Sequence, residues 1–305
     1  MEVVALALLI DALVGDPAWL WRRTGHPVTW FGTVIDGLDR RFNRGPAAAR
    51  RLAGVLALLG TVLLFALPAA ILAAVLAALP VSTLLEAAAA STLLAQRSLH
   101  EHVARVADAP SPEAARTAVG AIVGRDTANL DETGISRAAL ESLAESLSDG
   151  VVAPAFWLAI GGLPGLVAYK IVNTADSMIG HLSPRHAAYG WAAARLDDLL
   201  NLVPARLTAV LVLLVPPRLG RLGTVADEAA RHASPNAGWP EAAFAQSLGV
   251  SLGGPRRYDG EPHAGPWFNR AGRAPERADI RRGLRLAFNV GLVHGLAYAV
   301  LGLLV

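Results

Sequence analysis

Clusters of ionisable and amide side chains lie within residues 124–206 of this 305-residue chain, and each has the composition of a phosphate or metal site. Glu141, Glu145 and Asp149 recur every fourth residue, which puts them on one stripe of a helix. Hard cations take oxygen ligands, so the stripe reads either as a Mg²⁺ site or as the solvated face of that helix. Lys170, Asn173 and Ser177 share a second helical face, with Asp176 close by. A lysine there serves phosphate as a point charge; the plainer reading is a lysine snorkelling beside an apolar segment. Arg195, Asp197, Asp198 and Asn201 form a third cluster, with Asp197 and Asn201 one helical turn apart. Adjacent carboxylates repel unless a cation or arginine compensates, so metal–phosphate binding competes here with an acidic helix start. Arg125 and Asp126, in Gly-Arg-Asp-Thr, precede Asp131 and Glu132 at the head of the first helix. They suit phosphate held through Mg²⁺ and backbone donors, or a helix cap with surface ion pairs.

Two further groups carry weaker signals. His232, Ser234, Pro235, Asn236 and Glu241 surround a turn that opens a helix. His294 falls in a C-terminal apolar stretch, as a proton relay or a packing histidine. No P-loop, dinucleotide fingerprint, nucleophile elbow or kinase signature occurs, so any nucleotide site is an unconventional one built of acids, amides and arginines. The absence of cysteine excludes disulfides, thiolate-bound zinc and an enzyme thioester.

The elements that must position these groups are membrane helices. Hydrophobic residues make up 53%, charged residues 17%, and mean hydropathy is +0.42. Few aromatics and abundant Ala and Leu favour helix over strand. A net charge of +2 argues against nucleic-acid binding. Lys170 is the sole lysine among 27 basic side chains; arginine suits phosphate and carboxylate, though genomic base composition produces the same bias.

The expected fold class is all-α: a polytopic helical membrane protein with about four to five membrane helices and an extramembrane, cytoplasmic active-site portion, as one domain over 1–305. Membrane candidates are 52–79, 151–169, 199–215 and 284–305, and 1–14 is an interfacial or membrane helix expected to belong to the mature fold. Residues 81–106 read as continuing helix, Gly161-Gly162 as a break within 151–169, and Pro216-Pro217 as a stop. The stretch 218–282 reads as a polar lobe or a set of active-site loops. Basic residues gather in 22–51 and 218–282, which the positive-inside rule places in the cytoplasm.

Taken in order, Asp11–Pro17, His26–Gly32, Gly124–Thr127, Glu141–Trp157, Tyr169–His181, Ala193–Leu207, Ser234–Gly254 and Tyr258 resemble the adenosylcobinamide-phosphate synthases, the CobD/CbiB family of cobalamin biosynthesis. The resemblance covers essentially the whole chain. It departs at Ser146, where the family usually has asparagine, and at Gln246, where small residues are commoner.

The resemblance implies ATP-dependent amide formation between adenosylcobyric acid and (R)-1-amino-2-propanol or its O-phosphate, giving adenosylcobinamide or its phosphate. It implies Mg²⁺, with ATP as co-substrate, and a multi-pass protein of the bacterial inner membrane whose partners are these substrates, the lipid bilayer and other enzymes of the pathway. Under it, Glu141, Glu145, Asp149, Lys170 and Asp176 are the catalytic candidates. Arg125, Asp126, Asn173, Ser177, Arg195, Asn201 and Asn236 would bind substrate or phosphate, and Asp149, Asp176, Asp197 and Asp198 the metal. Acids and amides are expected to converge where lipid meets cytosol. A transporter or a non-catalytic scaffold for corrinoids is the alternative; no internal repeat supports the transporter.

Overall fold

The computed structural model describes residues 1–181, 183–258 and 261–304. Val305, the end of the last membrane candidate, lies outside the described residues, as do residues 259 and 260 of the polar stretch. Three described helices are long and apolar enough to cross a bilayer: Ala47–Ala77, Glu132–Ile179 and Arg277–Leu304. A fourth results if Glu2–Leu13 and Ala18–Phe42, bent by 103° around Gly15 and Pro17, count as one broken span. The protein is an all-α polytopic membrane protein; among the described residues its three single spans fall short of the four to five expected, and the bent pair brings the number to four.

Two expectations change. The stretch 199–215 becomes a helix of 13 residues, Leu202–Leu214. At 1.5 Å per residue it is about 20 Å long, against about 30 Å of hydrocarbon. It is short because the preceding helix, Trp191–Leu200, ends on Asn201, whose side chain is bound to other groups rather than facing lipid. Residues 81–106 form two helices, Ser82–Ser91 and Gln96–Ala107, separated by a turn.

The chain forms two compact units. The first comprises residues 1–95, 153–201 and 298–305. Its long helix Ala47–Ala77 turns Leu52, Leu56, Leu59, Leu63, Leu67 and Ile71 outward, the face a lipid-embedded helix presents. The opposite side carries Gly54, Leu58 and Thr61 inward. Gly54 admits the backbone of Tyr189 so closely that an added Cβ would lie 1.9 Å from the Tyr189 carbonyl oxygen. Helix Ala153–Ile179 contains the predicted break, at Gly162 (φ 59°, ψ −159°). Only glycine takes that backbone readily.

The second unit comprises residues 96–152 and 202–297. Its centre is a pair of helices, Glu132–Leu147 and Gly238–Leu248, buried on nearly every side. Alanines at 138, 139, 144, 242, 243 and 245 are fully covered. Two short hairpins follow: Leu252–Gly253 pairs with Trp267–Phe268, and Arg256–Tyr258 with Glu261–His263. The polar stretch is thus folded into this unit. Gln246, one of the two departures from the family pattern, helps hold it there. It donates to Glu228 (3.2 Å) and accepts from Arg221 (3.2 Å), while its carbonyl accepts from Arg218 (2.9 Å).

Candidate active site

In the second unit the carboxylates come first from the helix Glu132–Leu147, which Asp131 opens by accepting from the Gly134 amide at 2.7 Å. Glu141 lies on its buried side, 5% exposed. A buried carboxylate needs charge-assisted partners, and Glu141 has three. Arg125 stands 2.8 Å from Oε2 and Arg256 3.2 Å from the same oxygen; the Gly253 amide donates to Oε1 at 2.6 Å. Arg256 also donates to Glu241 at 2.8 Å, so one guanidinium bridges two buried acids. Glu241 is 2% exposed. Burial pushes its carboxyl well above the usual carboxylate range; the Glu141 charge adds to the rise and Arg256 opposes it. His232 stands 3.9 Å away, and burial holds its imidazole below the ordinary value.

Glu145, one turn beyond Glu141, is exposed and lines a pit of about 130 Å³ together with Glu141, Glu241, Arg125 and Arg256. Asp149 falls in the five-residue π-helical turn Ser148–Val152. Such bulges interrupt regular packing and recur at functional sites. Asp126 is exposed beside Arg125, its amide donating to the Arg257 carbonyl at 3.0 Å. Asn236 is buried and accepts from Arg206, which stacks on Trp239 at 4.7 Å.

In the first unit a second network forms around Asp197. Helix Trp191–Leu200 carries Asp197 inward, 9% exposed. Asn173, from the end of Ala153–Ile179, donates to Oδ1 at 3.2 Å, and Asn201 to Oδ2 at 3.0 Å. The Tyr169 hydroxyl donates to the Asn201 side-chain oxygen at 3.0 Å, which fixes the amide's orientation. Burial pushes Asp197 up to about 6, and the nearby Asp176 charge adds to the rise; the two amides oppose it. Asp198, one residue on, turns to the surface with Arg195 at 3.4 Å, and burial raises it too. Ser177 donates to its own helix, at the Asn173 carbonyl (2.9 Å), and Lys170 is half-buried one turn earlier.

The predicted site residues therefore divide between the units. Asn173, Asp176, Asp197 and Asn201 belong to the first, and Arg125, Glu141, Glu145 and Asp149 to the second. Among the described residues no three acidic or histidine side chains gather into a ready metal cluster. The sequence reading passed over Arg137, Arg256 and Arg257, and left Glu241 in a turn signal. Arg256 and Glu241 acquire their importance only through each other and Glu141.

Buried acids held by amides and arginines, in a polytopic all-α membrane protein, define a membrane-embedded protein built to handle charge. Its family is given by similarity. The CobD/Cbib protein family matches residues 4–287. The chain is 48% identical to the cobalamin biosynthesis protein CobD of Rhodobacter capsulatus over 296 residues, covering 94% of this chain and 91% of that one. It is 50% identical to CobD of Sinorhizobium fredii over 295 residues (91% and 89%) and 45% identical to CobD of Brucella suis over 312 residues (97% and 95%). The chain belongs to the CobD/CbiB family. No solved structure matches it significantly.

Proposed function

We propose that the protein works in cobalamin biosynthesis as an ATP-dependent amide ligase. It joins a propionate carboxylate of adenosylcobyric acid to (R)-1-amino-2-propanol or its O-phosphate. Family membership supports the pathway. The observation that carries the site is the Asp197 network: a buried carboxylate, two amides fixed on its oxygens, and the Asp176 charge close enough to raise it. Charge crowded in this way fits a cation, and Asp176 and Asp197 would hold Mg²⁺, with Asp198 beside them and Asp149 as the candidate in the other unit. Mg²⁺ commonly takes one or two carboxylates plus phosphate and water, so a three-carboxylate cluster is not required. When bound, it would offset charge on the transferring phosphoryl group.

Amide formation from a free carboxylate is uphill, and without cysteine no enzyme thioester is available. A substrate carboxylate oxygen attacks the γ-phosphorus of ATP, ADP leaves, and an acyl phosphate results. The amine nitrogen then attacks the acyl carbon. The C–O bond breaks, phosphate leaves with that oxygen, and Glu145 or Glu141 takes the proton lost by nitrogen. Within the second unit Arg125 offers positive charge to phosphate and Asp126 and Asn236 offer polar contacts; within the first, Lys170 and Arg195 offer charge and Ser177 a polar contact. The basic stretches 22–51 and 218–282 support a cytoplasmic placement at a bacterial inner membrane.

Purified protein given adenosylcobyric acid, ATP and Mg²⁺ with each amine tests this by product mass. The expected product is the corrinoid plus amine minus water, formed only with ATP. No product with either amine, or product without ATP, rejects the reading.

A further inference from the structure

The second unit contains a cavity of about 810 Å³ whose walls present four guanidinium groups, Arg125, Arg137, Arg256 and Arg257, against one carboxylate, Asp126. Arg125 and Arg256 are committed to Glu141 and Glu241. Arg137 has no such commitment. It makes no ion pair among the described residues; its Nε donates to the Ser251 carbonyl at 3.5 Å and its guanidinium lies 4.8 Å over the Trp267 ring. Arg125 is 9% exposed, and its buried Nε has no hydrogen-bond partner. Gly254 (φ +86°) leaves room for Trp267, since a Cβ there would lie 2.5 Å from the indole. An arginine with a buried, unpartnered donor and a second arginine set over an indole both line one cavity with surplus positive charge, which suits a planar or tetrahedral oxyanion. The volume exceeds that of a single inorganic ion and admits a polyphosphate or a phosphorylated organic molecule.

We propose that this cavity is a phosphoryl-binding site, with Arg137 and Arg257 as recognition residues beside Arg125. The anion chemistry stands on the cavity; the choice of ligands rests on the ligase reading. Phosphate from a nucleoside triphosphate and phosphate on the amino-alcohol share this chemistry, and the test separates them.

Full-length protein in detergent is titrated calorimetrically with ATP, inorganic triphosphate and 1-amino-2-propanol O-phosphate, as wild type, Arg137→Gln, Arg137→Lys and Arg257→Gln. Both glutamine variants weaken one of these ligands at least about tenfold with an unchanged melting temperature, and Arg137→Lys falls between. Weakening of ATP and triphosphate together assigns the cavity to the nucleotide. Weakening of the amino-alcohol phosphate alone assigns it to the amine. Wild-type protein that binds none of them, or glutamine variants that bind as wild type does, overturns the proposal. Should Arg137→Gln fail to fold, the exposed Arg257 decides alone. Phosphoryl binding without ligation sinks the ligase reading and leaves the cavity; ligation with binding untouched by the variants does the reverse.

Discussion

Arg125 and Glu141 meet at 2.8 Å with less than a tenth of either side chain exposed. The pair joins the loop before helix Glu132–Leu147 to the middle of that helix. It is the anchor of the charged network in the second unit, because Arg256 and the Gly253 amide close on the same carboxylate.

Glu141→Ala leaves the buried Arg125 without its acid and should destabilise the protein by about 3–5 kcal/mol. Arg125→Ala leaves Glu141 with Arg256 and the Gly253 amide and should cost less. Thermal unfolding in detergent checks this. A loss of under about 1 kcal/mol for both variants would show that the pair is effectively solvated.

The pH dependence of stability has two limbs with different owners. Glu241 is raised above 4.5, so between that value and its native one the folded state holds the extra proton, and stability falls as pH rises. His232 is lowered below 6.5, so the unfolded state binds more protons there, and stability falls as pH drops under 6.5. Glu241→Gln should flatten the fall above pH 6.5 and, below it, leave the His232 limb unopposed and therefore steeper. Melting temperatures measured from pH 5 to 9 test this; an unchanged alkaline slope in Glu241→Gln contradicts it.

Asn173 and Asn201 orient Asp197. Replacing either with Ala should raise the Mg²⁺ concentration needed for half-maximal activity roughly 10–100-fold, the usual cost of losing a partner that orients a metal ligand. Activity titrated with Mg²⁺ is the check. A fall in kcat with no change in Mg²⁺ dependence would remove Asp197 from the metal.

Gly54→Ala forces a methyl against the Tyr189 backbone, at 1.9 Å before relaxation. The cost should reach about 1–3 kcal/mol or more. A variant as stable as wild type would show that the helix and the 189 turn move apart freely.

Much of this was legible in sequence for local reasons. The span read at 52–79 and found as Ala47–Ala77, the break at Gly161-Gly162 and the Asp131 cap follow from periodicity and turn chemistry within a few residues. The expected carboxylate stripe does not persist as one face: Glu141 is buried, Glu145 is exposed and Asp149 falls in a π-helical turn. What escaped depends on distance along the chain. Glu141 and Arg256 are brought together by folding, and nothing in the spacing of either names the other. The short helix Leu202–Leu214 was read as a span because its composition is apolar; Asn201 before it is held by one local bond, to Asp197, and one distant bond, from Tyr169, that spacing does not name. Arg137 lies on the same helix as Glu141 but gained meaning only when the 253–257 backbone formed the far wall of its cavity.

The ligase account is tested most directly by the fate of the substrate's own oxygen. Adenosylcobyric acid labelled with ¹⁸O in the reacting carboxylate is turned over with ATP and amine, and the released phosphate is weighed. The account predicts that each phosphate carries one carboxylate oxygen, and unlabelled phosphate alongside amide product would contradict it.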